Sequence, residues 1–121
     1  MATMDTSQAW LVETREAFAA WLADHGATER ETVVAIFKKA SGKQTVTFPE
    51  LLETAFCHGW VDVQTKSIDD ERYAIRFVAR RPGSTWSPRN RAIVAQLLAA
   101  GRMTPAGRAV LAPDMLPTGE T

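Results

Sequence analysis

Eight arginines and no acidic residue lie between Arg72 and Ala112. Six of them (Arg72, Arg76, Arg80, Arg81, Arg89 and Arg91) bracket Trp86. A guanidinium binds carboxylate or phosphate through a planar fork of donors and stacks on aromatic faces. An arginine-rich segment around an exposed tryptophan is therefore a candidate anion-binding face, with nucleic acid, a phosphate-bearing small molecule or an acidic protein as partner. The alternative is internal neutralisation. Residues 1–71 hold twelve acidic and six basic side chains, a net −6 against the +8 of residues 72–112. Arginines facing those acids would form ordinary surface pairs, which contribute little.

The pair Cys57-His58 suggests a second chemistry, a thiol nucleophile beside a base, with Trp60 and Asp62 completing an alternative pocket. Neighbours on a helix do not face one another, however, so the two side chains cannot bond while the helix persists. A buried structural cysteine near a helix end is the plainer reading, since free cysteine is among the most buried residue types. His58 with Asp62, Asp69, Asp70 and Glu71 could in principle offer metal ligands. No HExxH, paired Cys/His spacing or calcium-loop pattern is present, and acidic residues at a turn are ordinarily a solvated tip, so no metal is expected. The seven glycines form neither a phosphate-cradling loop nor a dinucleotide fingerprint, and no cofactor is expected. No Gly-x-Ser-x-Gly elbow occurs either.

These residues need elements to position them. Residues 8–24 carry Leu11, Phe18, Trp21 and Leu22 at helical spacing, with Gly26 placed for a left-handed cap. Thr32 to Phe37 is β-branched and apolar, a buried strand. Thr47-Phe48-Pro49-Glu50 is a capping box opening a helix over 48–58. Val61 to Lys66 and Tyr73 to Arg80 alternate across the polar turn 67–71 as a hairpin. Alternation puts Tyr73, Ile75 and Phe77 on one face, and Arg72, Arg76 and Arg80 on the other. Ser87-Pro88 and Thr104-Pro105 each begin a further helix as cap and first residue, the second running to about Leu111.

The expected fold is α+β: a small antiparallel sheet, the hairpin plus at least one further strand, packed by three to four helices. A chain of 121 residues, 45% apolar and 23% charged, suits one domain, here 8–112, with flexible termini at 1–7 and 113–121. One cysteine excludes an internal disulfide. The polar N-terminus lacks the basic and apolar regions of a secretory signal, and no apolar run is long enough to span a membrane. A cytoplasmic location is the expectation.

Several ordered blocks resemble one bacterial family. They are Phe37-Lys38-Lys39-Ala40-Ser41-Gly42-Lys43, Thr47-Phe48-Pro49-Glu50, Ala55-Phe56-Cys57-His58-Gly59-Trp60-Val61-Asp62, and Asp69-Asp70-Glu71-Arg72-Tyr73. Arg76-Phe77, Arg80-Arg81-Pro82-Gly83-Ser84-Thr85-Trp86-Ser87 and Gly101-Arg102-Met103-Thr104-Pro105-Ala106-Gly107 continue the series. From about Phe18 to Leu111 the chain resembles the core domain of the YdeI / OmpD-associated (bacteriocin-protection) family. The family has an aromatic at the position of His58 and a glycine at that of Val63, and longer members carry a second basic helical segment. The resemblance implies a link to resistance against bacteriocins and cationic peptides, and it supplies no catalytic residues. Two functions remain in view. One is a non-enzymatic module binding an anion through Arg72–Arg91. The other is a small enzyme with a pocket at Cys57, His58, Trp60 and Asp62.

Overall fold

The computed structural model describes residues 4–116 of the chain. It is an α+β fold of four strands and four helices: β1 (Trp10–Leu11), α1 (Arg15–His25), β2 (Glu31–Phe37), α2 (Phe48–Cys57), β3 (Trp60–Ser67), β4 (Arg72–Ala79), α3 (Pro88–Ala99) and α4 (Pro105–Ala109). The strand order is β1-β2-β4-β3. The expected hairpin is present, with β3 antiparallel to β4, and β4 runs antiparallel to β2. The two-residue β1 lies parallel to β2 and makes the sheet mixed.

Short β1 also explains why the first helix starts late. Trp10 and Leu11 pair with Val34 and Ala35, Val12 N–H donates to the Ala35 carbonyl at 2.9 Å, and Trp10 Nε1 donates to Thr32 Oγ1 at 3.0 Å. Sheet pairing claims these residues although their spacing suits a helix. Thr14 then caps α1, its hydroxyl accepting from Ala17 N–H at 3.1 Å. Gly26 closes the helix in a right-handed conformation (φ −62°) rather than the expected left-handed one.

The other helix starts follow their local signals. Thr47 and Glu50 form a reciprocal capping box, and Ser87 and Thr104 accept from the backbones of Asn90 and Gly107. The last helix stops at Ala109, and Val110 and Leu111 turn inward. In β4, Ile75 and Phe77 are fully buried while Arg76 faces outward, as alternation requires.

α2 is the hub. Leu51 and Ala55 enter a cluster with Phe18, Ile36, Trp60, Ile75 and Phe77 between the sheet and α1. Leu52, Phe56 and Cys57 enter a second cluster with Trp86, Val94 and Leu97 beneath α3. Buried on two sides, α2 is held rigidly, and its last turn delivers Cys57 and His58 to a fixed place. Residues 1–3 and 117–121, expected as flexible termini, lie outside the described residues. Of the remaining terminal residues, Met4 is buried, and Asp114 pairs with Arg91.

Candidate functional site

The arginine strand is not the free positive face that its composition suggests. Arg76 Nη2 meets Glu31 at 3.0 Å, Arg72 Nη2 meets Asp69 at 3.0 Å, and Arg91 Nη1 meets Asp114 at 2.8 Å. Glu31 lies 45 residues before Arg76 and reaches it across the β2–β4 pairing. Arg76 also borders a cavity of about 460 Å³ on the outer sheet surface, but Asp5 and Glu31 line it too, so that site is not selective for anions.

Trp86 is not an exposed stacking platform either: it is only 4% exposed. Its ring packs edge-on against Phe56 with centroids 5.6 Å apart, and the Arg80 guanidinium carbon lies 3.6 Å from the Trp86 ring centre. Arg80 Nη2 donates to Ser84 Oγ at 2.9 Å and to the Thr85 carbonyl at 2.8 Å. Arg80 therefore clamps the loop after β4 onto the core, and desolvation lowers its pKa from the ordinary guanidinium value. Arg81 and Arg89 are exposed and form no ion pair among the described residues.

The acidic turn is equally committed. Asp69 accepts from the backbones of Glu71 and Arg72 and from the Arg72 side chain, which together hold its carboxyl below the usual range, the side-chain bond first. Among the described residues no group of three His, Cys, Asp or Glu could hold a metal ion.

A different set of side chains converges. Arg15, Glu16 and Ala19 from α1, Thr54, Cys57 and His58 from the end of α2, and Arg102 from the loop before α4 line one cavity of about 500 Å³. The helix ends at Cys57, and His58 is its cap with φ −109°, so the two side chains can border the same space. Trp60 and Asp62 do not join them. Trp60 is 1% exposed inside the sheet-side core, and Asp62, on β3, pairs in register with Phe77 of β4. Of the alternative pocket, two residues are in place and two are not.

The loop is set by the end of α2. Thr104 donates its backbone N–H and its hydroxyl to the Cys57 carbonyl at 2.9 and 2.6 Å, satisfying an orphan acceptor at the helix terminus. Arg102 is thereby held over Cys57, and its Nη1 touches Glu53 at 3.3 Å. Among the described residues the ion pair of Arg15 is a long contact from its Nε to Glu16 at 3.6 Å, and the Glu16 side chain is 80% exposed. A guanidinium has five donors, so each arginine retains some for a ligand.

Burial pushes the Cys57 thiol up, against a smaller downward pull from Arg102. Burial also holds His58 below its ordinary value near 6.5, so its imidazole is neutral at pH 7. No hydrogen bond joins Cys57 Sγ to the His58 ring among the described residues. A protonated thiol beside an unoriented imidazole lacks the geometry of an activated nucleophile.

A histidine disfavoured as a cation when folded takes up its proton more readily when unfolded. Its effect on stability is therefore absent above about pH 6.5 and grows as pH falls below it. Melting temperature should decline between pH 7 and pH 5, and His58→Gln should flatten that segment. An unchanged slope in the variant would show that His58 does not titrate in this window.

Sequence reasoning missed Arg15, Thr54 and Arg102. Arg15 is the first residue of α1 and Arg102 stands 87 positions later, so no local pattern links them.

Residues 10–110 match the family described as Domain of unknown function (DUF8412). The chain belongs to that family. No curated protein and no solved structure matches it. No helix among the described residues is long and apolar enough to cross a membrane.

Proposed function

We propose that this DUF8412 domain is a binding module for a small anionic ligand, held in the cavity between α1 and the end of α2. The observation that carries this reading is the convergence of Arg15, Arg102 and His58, from three separate elements, on one concave space. Two guanidinium groups and an imidazole offer charge-assisted and neutral donors to a carboxylate or phosphate. The ion pairs of Arg15 and Arg102 are exposed and weak, so a ligand can displace them at small cost. The anion-binding role inferred from composition thus moves from the strand to the cavity. The resemblance to the YdeI / OmpD-associated proteins supports a place in resistance to bacteriocins or cationic peptides.

Calorimetric titration with inorganic phosphate and with acetate tests this. Arg102→Ala should weaken binding by at least about tenfold, the scale of one lost charge-assisted bond, while leaving the melting temperature nearly unchanged. Arg76→Ala, on the outer sheet surface, should leave binding as it was. Loss of binding in Arg76→Ala with retention in Arg102→Ala would return the site to the strand and refute the cavity.

A further inference from the structure

The anion cavity does not end at His58. A second cavity of about 270 Å³ adjoins it, with Leu22, Ala23, Gly26, His58, Pro105 and Ala106 in its lining. His58 lines both. The two lie along one face of α1: Arg15 and Ala19 border the first, and Ala23, four residues on from Ala19, borders the second. Their linings differ in kind. The first carries Arg15, Glu16, Arg102 and Thr54, whereas the second carries alanine, leucine and proline, with Thr104 as its one hydroxyl. That hydroxyl is already committed to the Cys57 carbonyl and the Gly107 N–H. Small side chains on α1 and α4 leave the second space open, and among the described residues no Asp, Glu, Lys or Arg borders it.

Charge counts narrow the headgroup. Arg15 and Arg102 face Glu16 within the cavity and Glu53 beside it. A doubly charged group would meet both acids at close range, whereas a single negative charge fits between the two arginines with less repulsion.

We infer that the two cavities form one groove for an amphipathic monoanion: a carboxylate between Arg15 and Arg102, carrying an apolar chain that passes His58 and lies against Leu22, Ala23 and Pro105. This rests on the anion-binding reading above and adds the class of ligand. The charged end supplies orientation, and the apolar end supplies most of the affinity, since apolar burial scales with each methylene removed from water.

The experiment is a titration of the full chain with alkyl carboxylates from acetate to octanoate, followed by calorimetry or amide chemical shifts. Affinity should rise about fourfold per methylene until the second cavity is filled. Octylammonium, with the same chain and opposite charge, should bind at least about tenfold more weakly than octanoate. Ala23→Leu and Ala106→Leu change exposed positions, so the fold is not at risk. Each should flatten the chain-length series and leave acetate binding intact.

Flat affinity across the series, with acetate and phosphate still bound, would overturn the groove and leave the anion site standing. Equal binding of octylammonium and octanoate would overturn the charged end. No binding of any anion, short or long, would overturn both readings together.

Discussion

Trp60→Ala is expected to lower folding stability by about 4 kcal/mol, the usual cost of removing a fully buried large aromatic. Trp60 is the first residue of β3 and is 1% exposed. It stands edge-on to Trp21 of α1, with ring centres 5.6 Å apart and planes at 86°. Its loss would open a cavity where the sheet, α1 and the end of α2 meet. For a domain of this size each kcal/mol shifts the midpoint by roughly 4 °C, so the melting temperature should fall by about 15 °C. Trp60→Phe should recover a large part of that, because a smaller ring still fills most of the space. A fall of only a few degrees in Trp60→Ala would mean that the side chain is not the internal wedge described here. Ligand binding measured well below the new midpoint should persist in Trp60→Phe, because Trp60 does not line the anion cavity.

Gly107→Ala should cost about 3 kcal/mol although it adds only one methyl group. A Cβ at Gly107 would lie 2.2 Å from the Cys57 carbonyl oxygen and 2.7 Å from its carbon, both backbone atoms. Neither can rotate aside. α4 would have to lift off the end of α2, stretching the two hydrogen bonds from Thr104 to Cys57. Gly59 shows the same close approach from the other side: it sits at φ 81°, and a Cβ there would lie 2.9 Å from the Ala106 carbonyl oxygen. Two glycines thus let the backbones of α2 and α4 meet, and that contact sets the mouth of the groove. Urea or thermal unfolding of Gly107→Ala measures the cost. Ligand affinity should fall with it, because Thr104, Pro105 and Ala106 move with α4 and Arg102 sits in the preceding loop. A stability within about 0.5 kcal/mol of the parent would contradict the tight α2–α4 contact.

The two substitutions act on the site by different routes. Trp60 supports it from the core, through the position of α2, whereas Gly107 shapes it directly through the seat of α4. A comparison of stability and affinity in the same variants separates support from contact. If Gly107→Ala weakens anion binding by more than its unfolded fraction explains, α4 is part of the binding surface rather than only part of the scaffold.

The features legible in the sequence are those governed by neighbours within four residues. Thr47 and Glu50, Ser87-Pro88 and Thr104-Pro105 mark helix starts, since a side-chain oxygen and a nearby N–H meet without help from the rest of the chain. Apolar alternation revealed the hairpin and the inward face of Ile75 and Phe77, because the period of a strand is itself local. The charge segregation was also in plain sight. What lay outside such local signals depends on which elements pack together. Trp10 and Leu11 suit a helix by spacing, yet they pair with β2, 24 residues away. Trp86 lies among arginines in sequence and under α3 in space, since the second core cluster needs an aromatic beside Phe56. Arg72, Arg76 and Arg91 find carboxylates on the hairpin turn, on β2 and beyond α3, and only the folded chain sets those distances. The candidate site shares that origin. Arg15, Cys57, His58 and Arg102 carry no common motif, and they border one cavity because α2, buried on both sides, presents its last turn to α1 and to the loop before α4. Local chemistry determined the elements of this protein, and the packing of its central helix decided which side chains share a site.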